Sequence, residues 1–134
     1  MPIINLEDAK RDDYESGRVY QTLVGDDAGS TPIRVGVQTS PPGYSTGTHK
    51  HPYMEIITVI EGVGEAWIGS EDDITAIGPG STIVAPANIA HGFRNTGQRT
   101  MRSYGVHASP TRITFRESDA PEAGMAPRDV PTPP

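Results

Sequence analysis

The chain has 134 residues, enough for one domain core. Its formal charge is -6, from 11 Lys+Arg against 17 Asp+Glu, and no basic cluster interrupts the acidic trend, which argues against a nucleic-acid partner. There is no cysteine, so disulfides, thiolate metal clusters and thiol catalysis are excluded, and no apolar run of about 18 residues exists, so no membrane span is expected. The opening Met1-Pro2-Ile3-Ile4-Asn5 offers neither a basic nor an apolar leader region, and the expected location is cytoplasmic.

Residues 1–18 are polar, with Asp12, Asp13 and Glu15 close together, and predict a short N-terminal arm or helix. From 19 to 116 the chain carries short runs rich in Val, Ile, Thr and Tyr, divided by Gly, Pro, Asn and Asp. The predicted strands are 19–24, 33–39, 46–51, 55–61, 64–69, 73–77, 82–85, 90–95, 100–107 and 112–116. Glu71-Asp72-Asp73 reads as a solvated hairpin turn. No segment holds a 3.6-residue period over three turns. Short strands at regular spacing imply an all-β sandwich or barrel over 19–116. Residues 117–134 are too polar and Pro-rich to bury a core, and predict an extended or mobile tail.

The chemistry concentrates in histidine. Two of the four fall in His49-Lys50-His51. In a strand, i and i+2 share a face about 6.6 Å apart, so both imidazoles can lean onto one cation. Glu55 would lie about 13 Å beyond His51 if the strand ran straight on. Pro52 lacks the N–H a ladder needs, so Pro52-Tyr53-Met54 is expected to turn and bring Glu55 back beside His51. Two imidazoles and a carboxylate then meet, a donor set that suits iron and its neighbours. His91 offers a third imidazole on a strand that follows the turn signals Gly78-Pro79-Gly80 and Pro86-Ala87-Asn88.

The segment from Gly43 through His49, His51 and Glu55 to Gly62 resembles the first cupin motif, G-x5-H-x-H-x3-E-x6-G, at every fixed position. Gly80, Pro86, His91 and Asn95 resemble the second, G-x5-P-x-G-x2-H-x3-N, with Asn88 where the family usually has Gly. Asn is the next-best residue for a left-handed turn, so the departure is mild. The resemblance implies a double-stranded β-helix, or jelly-roll barrel, with a divalent metal (Fe, Mn, Ni, Zn or Co) held by His49, His51, Glu55 and His91.

Strand parity maps the rest. With Glu55 inward, Ile57 and Val59 also face in, while Ile56, Thr58 and Ile60 face out. Such an apolar outer face needs cover from the second sheet or another subunit; a twofold homodimer is favoured, and the resemblance implies one too. Phe93 and Asn95 share the side of His91, with Phe93 walling the site. If Ser103, Gly105 and His107 face in, His107 is a candidate acid/base near the rim. His107, Tyr53 and Gln38 are the candidate catalytic residues, with Arg34, Arg102, Tyr104 and Trp67 as further substrate contacts; Tyr14 and Tyr20 read as packing. The expected function is a metal-dependent enzyme on a small organic molecule, with oxygenase chemistry slightly ahead of lyase or isomerase chemistry. The alternative is a non-catalytic barrel that binds or senses a metabolite.

Overall fold

The computed structural model describes residues 2–116 and 128–129. Two antiparallel six-stranded sheets make up the fold. The first runs in the order β1 (Lys10–Asp13), β2 (Val19–Val24), β3 (Arg34–Ser40), β10 (Met101–His107), β5 (Glu55–Glu61), β8 (Thr82–Ala85). The second runs β12 (Arg128–Asp129), β11 (Ile113–Arg116), β4 (His49–Lys50), β9 (His91–Asn95), β6 (Gly64–Ile68), β7 (Ile74–Ile77). Strands distant in the chain are therefore neighbours, as a jelly roll requires.

The polar segment 1–18 is more than an arm. After a 3-10 turn over Leu6–Asp8, β1 pairs with β2 from Lys10↔Thr22 to Asp13↔Val19. Its Lys-Arg-Asp-Asp sequence suits an edge, where charged side chains blunt pairing with other chains. The tail expected over 117–134 falls outside the described residues, except for β12, which pairs with Ile113 and Thr114 of β11. The strand expected over 46–51 is shorter: β4 has two residues, and Ser45 makes an isolated bridge to Arg94.

Between the sheets lies a core of Tyr44, Ile57, Val59, Ala66, Ile77, Ile83, Phe93 and Met101. On β5 the expected alternation holds. Glu55, Ile57 and Val59 are buried, whereas Ile60 is 49% exposed. The second sheet does not cover the outer face. There the register sets Val35, Val106, Ile56 and Val84 in one row across β3, β10, β5 and β8. Val37, Tyr104, Thr58 and Thr82 form the next row. Val84 and Tyr104 are exposed.

Two backbone devices position the strand that carries His91. Asn88 has φ 64°, the left-handed conformation for which Gly or Asn is needed. At Gly92 a Cβ would lie 2.4 Å from the Trp67 ring and 2.6 Å from the Gly47 carbonyl oxygen. Trp67 cannot retreat, because it is fully buried and its Nε1–H donates to Thr48 Oγ1 at 3.0 Å. Gly92→Ala is therefore expected to destabilise by about 1–3 kcal/mol through overpacking, read as a fall of several degrees in Tm.

Candidate metal centre

The site forms where the two sheets face each other. His49 lies on β4 and pairs directly with His91, the first residue of β9. Glu55 opens β5 and pairs with His107, the last residue of β10. The turn at Pro52-Tyr53-Met54 does occur, but it does not fold back as a hairpin. It carries the chain from the second sheet to the first, so Glu55 approaches His51 across the barrel. His49, His51, Glu55 and His91 are all buried, and one ligand atom from each lies within 4.8 Å of the others.

Hydrogen bonding assigns the imidazole tautomers. His49 donates Nδ1–H to the Gly47 carbonyl at 3.0 Å, His51 to Ile113 at 2.7 Å, and His91 to Ile89 at 3.0 Å. A neutral ring protonated at Nδ1 carries a lone pair at Nε2. His51 Nε2 and His91 Nε2 each lie 3.0 Å from Glu55 Oε1. The centre is thus a set of acceptors facing one another, and only a cation, proton or metal, reconciles them. Two donors at right angles on bonds of about 2.1 Å stand about 3.0 Å apart, so the spacing fits a divalent ion. Backbone carbonyls that hold the remote imidazole nitrogen are the usual support of a metal-ligating histidine.

Burial and neighbouring imidazole charge act together on His49 and oppose each other at Glu55 and His91. Burial, and then the neighbouring His91, pull His49 down to about 3, so it stays neutral. Burial pushes the Glu55 carboxyl up, but His107, His51 and His91 outweigh it and hold Glu55 well below the usual carboxylate range. Burial lowers His91, yet its hydrogen bond and attraction to Glu55 leave it raised above 6.5. A metal bound here would require His91 Nε2 to be unprotonated.

His107 faces inward but does not sit at the rim: it is 4% exposed, with Nε2 3.0 Å from Glu55 Oε2. Its Nδ1 lies 2.9 Å from the Tyr53 hydroxyl, which also accepts the Ile113 N–H at 3.2 Å. Burial holds His107 below its ordinary value and Tyr53 above its own, so His107 is neutral and Tyr53 protonated. The donor sequence is then Tyr53 O–H to His107 Nδ1, and His107 Nε2–H to Glu55. Tyr53 stacks on His51 with ring centroids 5.0 Å apart and supports the imidazoles from behind.

The adjoining cavity has a volume of about 60 Å³. Gln38 lines it, accepting from Arg18 Nε and donating to Ser40 Oγ, both at 3.0 Å. Phe93 and Ile57 supply apolar wall, as expected for Phe93. Asn95 is instead structural, donating to the Ser40 and Arg99 carbonyls. Four expected substrate contacts lie elsewhere. Trp67 packs in the second sheet under Arg94, Arg34 bonds the Pro110 carbonyl, Arg102 pairs with Glu61, and Tyr104 is on the outer face. Sequence reasoning missed Arg18, Tyr44, Arg112 and Arg116, which line the cavity, and took Tyr20, which also lines it, for packing alone. No spacing or motif in the sequence singles these residues out.

A family model described as a Cupin domain matches residues 36–107. Auxin-binding protein 1 of Arabidopsis thaliana is 28% identical over 129 residues, covering 89% of this chain and 65% of that protein. A 5-nitrosalicylic acid 1,2-dioxygenase of Bradyrhizobium sp is 27% identical over 115 residues, covering 78% of this chain and 55% of that protein. The chain thus spans less than two thirds of either relative. Among solved structures, the polyketide cyclase RemF from Streptomyces resistomycificus superposes with a TM-score of 0.68 at 22% identity, over 80% of this chain and 78% of that one.

Metal affinity tests the centre. Zinc binding, measured by competition with a chromogenic chelator, should fall at least 100-fold in His91→Ala and about 10–100-fold in His107→Phe, which removes only the support of Glu55. Metal-free protein should gain stability as pH rises towards 6.5, because the lowered His49, His107 and Glu55 bind fewer protons than in the unfolded chain. Above 6.5 it should lose stability as pH passes through the raised His91 value. Zinc should abolish that second decline in a thermal melt series.

Proposed function

This chain belongs to the cupin family, and on that premise we propose that it is a divalent-metal-dependent enzyme acting on a small organic molecule, with oxygenase chemistry. Its metal ligands are His49, His51, Glu55 and His91. A bound ion supplies either Lewis acidity or, if it is iron, the means to engage dioxygen. The protein holds Glu55 through His107 and Tyr53, and keeps water low with Phe93 and Ile57. Gln38 fixes the Arg18 guanidinium on the cavity wall.

One observation carries the preference for oxygenase chemistry. Among the described residues lining the cavity, every imidazole and carboxylate is committed, either to the common convergence point or to holding Glu55. A redox-neutral lyase or isomerase that uses an imidazole or carboxylate as its acid or base needs one free beside its substrate. Oxygenation places the reactive chemistry on the ion instead. The likeness to a 5-nitrosalicylic acid 1,2-dioxygenase supports the same reading. A second reading, a non-catalytic metabolite-binding barrel, draws support from the likeness to auxin-binding protein 1 across 89% of the chain.

Metal analysis of protein purified without added metal, followed by oxygen-electrode assays, separates these. The expected result is iron at near one per chain, with oxygen uptake on a panel of short-chain keto and hydroxy acids. Uptake should vanish in His49→Ala. Zinc, manganese or nickel with turnover but no oxygen uptake would replace the oxygenase by a redox-neutral enzyme, while ligand binding without turnover would favour the binder.

The proposal includes a twofold dimer across the outer face of the first sheet. Ile60, Val84 and Tyr104 present an apolar surface there at 49%, 53% and 40% exposure, flanked by the half-buried Val106 and Ile56. Light scattering is expected to give twice the chain mass, and Val84→Glu should shift it to the monomer.

A further inference from the structure

The cavity beside the histidine cluster carries three guanidinium groups, from Arg18, Arg112 and Arg116. Among the described residues that line it, Glu55 is the one carboxylate, and it is already held by three histidines.

Arg112 is the informative member. It is 5% exposed, and its Nε and Nη1 have no hydrogen-bond partner among the described residues. Its guanidinium lies 4.1 Å from the centroid of Tyr20, a cation–π contact that offsets part of its desolvation and leaves Nε and Nη1 unused. The Tyr20 hydroxyl is likewise without a hydrogen-bond partner. Gly36 makes room for it, since a Cβ there would stand 2.3 Å from that oxygen. Arg112 directly precedes Ile113, whose N–H meets Tyr53 and whose carbonyl holds His51. One peptide unit therefore ties the guanidinium to the ligand framework. A buried charge without a partner is costly, and the planar guanidinium fork matches a carboxylate. Holding it ready in a ligand cavity pre-organises that cavity for an anion.

We infer that the cavity binds a short-chain organic carboxylate, with its carboxylate on the Arg112 fork and the Tyr20 hydroxyl and its remaining polar end towards the histidine cluster. This deepens the proposed function by naming its substrate class; it rests on the cavity being the substrate site and on no particular metal. The volume of about 60 Å³ is well below the ~150 Å³ of a cavity that admits benzene, so the enclosed part of the ligand is a few carbons and not a ring.

Calorimetric titration of the full chain, stripped with chelator and in parallel loaded with zinc, tests this. The probes are oxalate and pyruvate, against the uncharged oxamide and pyruvamide. Both anions are expected to bind and both amides to fail. Arg112→Met should weaken anion binding at least tenfold in both preparations, with Arg112→Lys recovering part of the loss. Without anion, Arg112→Met should melt at the wild-type temperature or above, because it removes a buried charge with two unused donors; an arginine with a purely structural role would lower it. If the Met variant fails to fold, Arg112→Lys carries the comparison through loss of the fork. Equal binding by wild type and variants, equal binding of the amides, or no anion binding at millimolar concentration overturns the inference. Arg112-dependent binding in stripped protein that also refuses zinc would uphold it while removing the metal reading.

Discussion

Four acceptor atoms meet in the middle of this barrel with no donor of their own to offer one another. Each of the three imidazoles has given its Nδ1–H to a main-chain carbonyl, and the Nε2 lone pairs of His51 and His91 aim at one carboxylate oxygen. Lone pairs packed at this distance repel unless positive charge sits among them. Glu55 holds His91 above its ordinary value, which favours a proton there, and the donor spacing also suits a divalent ion. The surrounding architecture serves to hold these atoms in place against their repulsion.

Support comes from outside the ligand set. His107 and Tyr53 form a relay that orients the second carboxylate oxygen, and the Ile113 peptide bonds both Tyr53 and His51. One short strand, β11, therefore stabilises a ligand and the support of another ligand at once. The same strand is preceded by Arg112, so the electrostatics of the cavity wall and the geometry of the centre share a piece of backbone. Tightly packed backbone such as this, with Gly92 pressed against Trp67 and Gly47, leaves little freedom for the donors to drift apart.

The convergence of His49, His51, Glu55 and His91 was legible because its spacing is local: His49 and His51 are two apart, Glu55 follows a Pro turn, and His91 follows two turn signals. Asn88 could be read as a left-handed turn residue, and the structure places it there. Strand periodicity gave the inward face of β5 correctly, because alternation along one strand is a property of that strand alone. The parity of β10 had to stay open, since Ser103 and Tyr104 are equally plausible on either face until a partner strand sets the register. The same limit hid the pairing of the charged segment Lys10–Asp13, which has no hydrophobic pattern to announce a strand.

Residue order alone settled the all-β class, the bend that frees Glu55 from its strand and the identity of the four converging donors, because each depends on neighbours within a few positions. Only the tertiary structure decided that the bend crosses between sheets, that His107 lies behind Glu55 and not at the mouth, and that three arginines from the two ends of the β region, 18 on one side and 112 and 116 on the other, share one cavity. Those outcomes follow from which strands become neighbours across the barrel. That choice is made by burial and pairing over the whole chain, and no short stretch of sequence contains it.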